Sequence, residues 1–340
     1  MKEFTGYKRG VNLGGWLSQT EHTTEHYNTF ITENDIRIIS GWGMDHVRLP
    51  IDYELVKDND GNDIEEGYTY IDNCLEWCKK YNLNMILDLH KTAGYSFDED
   101  ANSFFYSPDL QVKFIELWDA LAQRYGKYHE RLVFELLNEV VDDKVEDTWN
   151  GIIKKTIPVI RKYAPTIRII VGGVRNNSVL CVRGLDKPYD ENIVYTFHFY
   201  EPLIFTHQKA YWVKKMTEDF ETDYPCDLDT YIEQTEKYLP AENGEFYDTI
   251  RTKNADKEFI RTSFADALKT AEERNVPIYC GEYGVIDRTS VESALNWFSD
   301  MHSVFEEYSI SRAVWNYKGK DFGIIDGHYS GVLDKLIKLL

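Results

Sequence analysis

The chain has 340 residues, 43% of them hydrophobic, enough for one large α/β barrel with an insertion or for two ordinary domains. Its 38 Lys and Arg stand against 58 Asp and Glu, a net charge of −20, and that field repels nucleic acid, anionic membranes and acidic polysaccharides. A neutral partner is favoured, and no apolar stretch is long enough to read as a membrane-spanning helix.

The first residues, Met1-Lys2-Glu3-Phe4, are not followed by an apolar run of signal-peptide length. The compartment therefore stays open between the cytoplasm and export with a signal removed. Eight short runs rich in β-branched residues then follow one another as predicted strands, at 10–14, 46–50, 84–89, 132–137, 167–172, 193–199, 276–281 and 313–317. Helical periodicity separates most of them. Thr32-Glu33-Asn34-Asp35 opens a predicted helix in a capping-box arrangement with Thr32 as N-cap. Residues 70–81 carry Ile71, Cys74, Leu75 and Cys78 on one stripe, and 110–125 repeats the pattern with Val112, Ile115, Leu117, Trp118, Leu121 and Ala122. Mostly apolar strands alternating with helices predict a parallel sheet covered by helices. Eight such units predict a closed (β/α)8 TIM barrel of the α/β class.

The spacing between the sixth and seventh strands is anomalous. The helix expected there lies near 258–274, so 201–257 reads as an inserted subdomain, acidic, Tyr-rich and containing Trp212. It is expected to fold over the barrel mouth, because βα loops project from that face. With no repeat, linker or low-complexity tract, 1–340 reads as a single catalytic domain.

A barrel gathers the C-terminal ends of its strands around one mouth. The fourth strand runs into Leu136-Leu137-Asn138-Glu139 and the seventh into Tyr279-Cys280-Gly281-Glu282-Tyr283-Gly284. Two glutamates far apart in sequence are thus expected to face one another across a cleft, the apparatus that cuts glycosidic bonds. Gly281 and Gly284 let the backbone approach closely beside Glu282. Arg48 ends strand two, where its charge could hold a neighbouring carboxylate ionised. His90 ends strand three, His198 and Tyr200 end strand six on one side of it, and Trp315 ends strand eight as a candidate platform for a sugar ring.

Other features read as structural. Five cysteines, Cys74, Cys78, Cys181, Cys226 and Cys280, form no regular framework and read as free thiols. His22 and His26 have the spacing of a metal pair but lack a His-Glu-x-x-His pattern, so no metal is assigned. Gly14-Gly15-Trp16 lacks the spacing of a phosphate loop, and no Gly-x-Ser-x-Gly elbow occurs.

These motifs resemble glycoside hydrolase family 5, the cellulase family, from Gly10-Val11-Asn12-Leu13-Gly14-Gly15-Trp16 to Val314-Trp315-Asn316-Tyr317. Glu76-Trp77-Cys78-Lys79-Lys80-Tyr81-Asn82-Leu83 and Phe205-Thr206-His207-Gln208-Lys209-Ala210 are similar to clostridial members. The resemblance implies Glu139 as general acid/base, Glu282 as nucleophile and Asn138 as the group binding the sugar 2-hydroxyl. It implies Arg48 and Tyr200 as partners of the nucleophile, and His90 and His198 as substrate-binding or acid/base-supporting groups. Trp315 matches the platform of the subsite before the cleaved bond, and Trp212 is counted with the substrate-binding residues. The implied activity is retaining endo-hydrolysis of β-1,4 linkages in cellulose-type and mixed-linkage glucans, with no cofactor. Burial and the nearby Glu282 charge are expected to raise the Glu139 pKa.

The alternatives within the family are a β-mannanase or glucomannanase and an exo-β-1,3-glucanase. A non-catalytic carbohydrate-binding barrel predicts a missing catalytic carboxylate, whereas both are present. A metal-dependent hydrolase wants His-x-His after strand one, where Asn12-Leu13-Gly14 stands.

Overall fold

Eight β-branched runs of four to eight residues become the staves of the barrel: β1 Arg9–Asn12, β2 His46–Asp52, β3 Asn84–Lys91, β4 Leu132–Glu135, β5 Arg168–Gly172, β6 Ile193–Phe199, β7 Ile278–Tyr283 and β8 Ser311–Val314. A computed structural model describes residues 2–99 and 101–340; Met1, the first residue of the segment read for an export signal, lies outside them. All eight strands pair in parallel, and β1 closes on both β2 and β8. No helix is long and apolar enough to cross a membrane among the described residues.

Capping chemistry sets where the helices start. At α1 (Glu33–Gly41) the Asp35 carboxylate accepts the Thr32 N–H at 2.8 Å, the reciprocal half of the capping box. Helix α2 (Glu65–Lys80) begins ahead of the expected 70, with Glu65 and Glu66 in its first turn complementing the helix dipole. At α3 (Pro108–Tyr125), Ser107 is the cap and Pro108 supplies a first-turn residue that needs no N–H partner. Helix α4 is Glu146–Arg161, and helix α5 (Leu228–Tyr238) lies within the insertion. Asp256 caps α6 (Lys257–Arg274) and Ser290 caps α7 (Val291–Tyr308). One core assignment is corrected: Val112 is exposed, because the buried stripe of α3 runs through Phe114, Leu117, Trp118, Leu121, Ala122 and Tyr125.

Strand alternation stacks the barrel interior in layers. The lowest is mostly apolar, with Ile86, Val133, Ile170, Val194, Tyr279 and Ala313 joined by His46 of β2, whose Nε2 lies 2.9 Å from the Tyr279 hydroxyl, and closed from below by Phe4 and Tyr7. Two residues further along β2, β3 and β4 stand Arg48, Asp88 and Glu135, all buried. Two further again on β3 and β6 are His90 and His198, at the mouth. The polar residues that end the strands are therefore one rung above a charged layer, and that layer rests on a hydrophobic floor.

The insertion divides between two faces. Trp212, Glu245 and Phe246 line the cleft at the mouth. The middle of the stretch packs on the flank instead: the Tyr224 hydroxyl donates to Asp300 at 3.0 Å, and Ser293 donates to Asp223 at 3.1 Å, both from α7. The expectation that all of 201–257 covers the mouth is corrected accordingly. Paired polar side chains on α7 draw its middle down the side.

Candidate active site

Alternation alone would not aim Glu282 inward. Tyr279 already faces the barrel interior, and three residues on is the opposite parity. A register shift between Cys280 and Glu282 in the β6–β7 pairing restores the direction. Gly281 permits it: a Cβ there would lie 2.9 Å from His198 Nε2 and 3.0 Å from Thr196 Oγ1. Glu139 follows the end of β4 and takes a left-handed φ of 40°. The Tyr95 hydroxyl donates to its carbonyl oxygen and so pins that backbone.

One oxygen of Glu139, one of Glu282 and a ring nitrogen of His198 all lie within 4.8 Å of one another. The cleft that holds them has a volume of about 1230 Å³. Glu139 and Glu282 keep 8% and 5% of their surface exposed, enough for contact with a substrate but too little for free hydration.

Arg48 organises the floor. Its Nε donates to Glu135 Oε2 at 2.7 Å and its Nη2 to Glu135 Oε1 at 3.1 Å, a bidentate pair. Nη1 donates to Glu282 Oε1 at 2.7 Å and to Asn12 Oδ1 at 3.0 Å. Nη2 also donates to Asn138 Oδ1 at 2.9 Å and stands 3.1 Å from Asp88 Oδ2. Every guanidinium donor is engaged, which fixes the plane of the group. On the opposite oxygen of Glu282, the Tyr200 hydroxyl donates at 2.8 Å. Burial, with the negative charges of Glu282 and Glu139, holds that phenol well above its ordinary pKa, so it remains a donor.

Glu139 has different company. His198 Nδ1 lies 2.7 Å from its Oε1, and the Asn176 amide donates to its Oε2 at 3.2 Å. Burial pushes the Glu139 carboxyl up to about 7 against the downward pull of the Asn176 hydrogen bond. Desolvation is the leading cause, as expected from burial, and the charge of Asp98 also raises it. His198, pushed down to about 4 by burial, is neutral near pH 7. The Asn177 amide 3.4 Å from His198 Nε2 assigns the remaining proton to Nδ1, which donates to Glu139.

The other expected site residues take these places. His90 Nδ1 is 2.6 Å from Asp88 Oδ2, and its ring is parallel to Trp315 with centroids 5.8 Å apart. The Asn138 amide reaches His90 Nε2 at 3.4 Å. Trp315 lines the cleft over Gly14, where a Cβ would come 2.4 Å from the indole. Trp212 is separate from this cluster, 45% exposed at the cleft rim beside Tyr211. Asp88, Glu135, Asn12, Asn176 and Asn177 carry the geometry without having been singled out in the sequence. For Glu135 and Asp88 the signal was available, since a charged residue inside an apolar barrel strand is costly unless paired.

His22 and His26 do not converge on a metal. His22 contacts Tyr27 and Asp52, whereas His26 Nε2 lies 2.7 Å from the Gly15 carbonyl. The five cysteines are free.

The family model "Cellulase (glycosyl hydrolase family 5)" matches residues 8–321. Cellodextrinase A of Ruminococcus flavefaciens is 42% identical over 314 residues, covering 92% of this chain and 86% of its own length. Endoglucanase C of Acetivibrio thermocellus is 40% identical over 342 residues, covering 98% of each chain. Among solved structures, a hyperthermophilic endo-β-1,4-glucanase in complex with substrate superposes with a TM-score of 0.74 at 25% identity, covering 95% of this chain and 92% of the other.

Proposed function

Since the chain belongs to glycoside hydrolase family 5, the cellulase family, we propose that it is a retaining endo-β-1,4-glucanase acting on cellulose-type and mixed-linkage β-glucans. The observation that carries the mechanism is the carboxylate pair within 4.8 Å. Retaining enzymes hold the two carboxyl groups about 5–5.5 Å apart, whereas inverting enzymes need about 6.5–9.5 Å to admit a water. The relatives named Endoglucanase C and Cellodextrinase A support the glucan reading, and a neutral polymer suits a net charge of −20.

Glu282, facing Arg48 and Tyr200, attacks the anomeric carbon as a carboxylate. Glu139 delivers its proton to the glycosidic oxygen as the C–O bond breaks. The ester between Glu282 and the sugar then yields to water, whose proton returns to Glu139. Arg48 accounts for the orientation of Asn138: it takes the amide oxygen, which leaves Nδ2 to donate to the 2-hydroxyl, a bond that strengthens in the oxocarbenium-like state. Trp315 supplies the flat face for the ring before the cleaved bond. Trp212 at the rim offers a second platform further along the chain.

The test is the stereochemistry of rescue. With an activated β-glycoside, Glu282→Ala is expected to regain turnover in azide and yield the α-azide, while Glu139→Ala yields the β-azide through the intact glycosyl-enzyme. The same product from both variants would remove this assignment. Reducing-sugar release from carboxymethylcellulose, barley glucan, laminarin and mannan decides the substrate, and highest activity on laminarin or mannan would replace the glucanase reading.

A further inference from the structure

Three consecutive non-glycine residues at the cleft, Arg175, Asn176 and Asn177, have left-handed φ values of 56°, 57° and 53°. Such a conformation is sterically unfavourable for most side chains and least so for asparagine. A run of three persists only where its surroundings hold it. The Arg175 ion pairs with Glu245 and Asp143 are not what holds it, since these side chains are 37–57% exposed and such pairs contribute little. The anchors are buried. The Asn176 N–H donates to the carbonyl of Val140 at 3.1 Å, one residue past Glu139. Asn177 is fully buried against Gly172, where a Cβ would fall 2.2 Å from its Oδ1, and its amide meets His198. The turn is therefore pinned on one side to the backbone of the acid/base and on the other to the histidine that contacts it.

We propose that Asn176 is a positioning residue for the acid/base: the left-handed turn sets its amide on Glu139 Oε2, the oxygen His198 leaves free, and so governs the pH at which Glu139 gives up its proton. The inference rests on the reading of Glu139 given above. Asn176 itself is exposed and lines the cleft beside Glu139. An amide N–H aimed at a carboxylate stabilises the ionised form, and losing it makes the carboxyl hold its proton to higher pH.

The other groups around Glu139 come from different elements of the fold. His198 and Tyr200 face it from β6 and the segment that follows, and Glu282 from β7. Arg48 acts from β2 and His90 and Asp88 from β3, with Asp98 in the loop beyond. Tyr95 holds only the backbone. A change in the pH profile on replacing Asn176 therefore reports the amide and the turn that carries it.

The experiment is the pH profile of kcat/KM on soluble β-glucan for wild type, Asn176→Gly and Asn176→Asp, with Glu139→Ala in parallel. Glycine accepts the positive φ, so Asn176→Gly deletes the amide while relieving the backbone. Its alkaline limb is expected to move up by roughly 0.5–1 pH unit, the effect of one hydrogen bond to a charged group at the edge of a cleft. Asn176→Asp, also compatible with the left-handed region, sets a second carboxylate there and moves the limb further up. Should one variant fail to fold, the other carries the measurement. An unmoved limb, with activity lowered by one factor at every pH, overturns the proposal. Full activity in Glu139→Ala overturns instead the reading on which it rests.

Discussion

Two glutamates share one cleft within 4.8 Å, yet their surroundings differ in a way that suits the opposite roles proposed for them. Glu282 meets a guanidinium on one oxygen and a phenol on the other, a setting built for an anion. Glu139 meets only neutral donors, and burial holds its carboxyl up near 7, a setting in which the proton can be carried and released. Environment, not residue type, separates the proposed roles, and it does so from different strands: Arg48 on β2 contacts the proposed nucleophile and His198 on β6 the proposed acid/base.

The largest expected effect breaks the nucleophile half. Glu282→Ala should lower kcat by a factor on the order of 10⁴ or more, as removal of a nucleophile does elsewhere. Steady-state hydrolysis of barley glucan measures it, and a loss below tenfold would mean that another group attacks. The acid/base half breaks selectively. Glu139→Ala should slow unactivated glucan by about 10²–10⁴ while sparing aryl glycosides with good leaving groups, because only a poor leaving group needs the proton. Equal losses on both substrates would put Glu139 outside proton transfer. The wild-type profile adds the sign: kcat/KM should fall as pH rises through about 7, where Glu139 loses the proton it must donate.

A smaller break lies beneath the nucleophile. Glu135 is fully buried, never reaches substrate, and forms the bidentate pair that orients Arg48. Glu135→Ala leaves a buried guanidinium short of a partner, which should cost about 3–5 kcal/mol of stability in chemical denaturation. It should also lower kcat more than it raises KM, since the lost orientation acts through Glu282. A stable variant with unchanged kcat would show that Asp88 and Asn12 suffice to hold Arg48.

Both halves of this comparison were partly legible in the sequence, and for different reasons. β-branched runs and helical spacing located all eight strands, because the hydrophobic pattern is local. The residues at their C-terminal ends pointed to the mouth, because topology sends every such end there. The bulge at Gly281 that turns Glu282 inward was not legible: it depends on His198 and Thr196 from the neighbouring strand. The left-handed turn at 175–177 was hidden likewise, since its anchors are Val140, His198 and Gly172 rather than its own sequence neighbours. The insertion was seen as a length anomaly, but its division between mouth and flank is fixed by contacts with α7 across the chain.

A third carboxyl sharpens the comparison with the smallest effect. Glu201 also lines the cleft, and burial pushes it up to about 7, as it does Glu139, while the Leu203 N–H at 3.0 Å pulls it back. A raised pKa alone does not make an acid/base, since Glu139 is distinguished by its place beside Glu282. In an unfolded chain Glu201 would titrate near the ordinary value of about 4.3. Folding therefore takes up its proton between these two values. That contribution to stability is complete below about pH 4 and lost as pH rises through about 7. Glutamine accepts the same Leu203 hydrogen bond and never ionises. Glu201→Gln should therefore leave the alkaline limb of kcat/KM where it is, and its Tm advantage over wild type should grow by roughly 2 °C between pH 5 and pH 8. A shifted limb would make Glu201 a competitor for the proton-carrying role, and a Tm difference equal at both pH values would mean that the group is already ionised in the folded protein at pH 5.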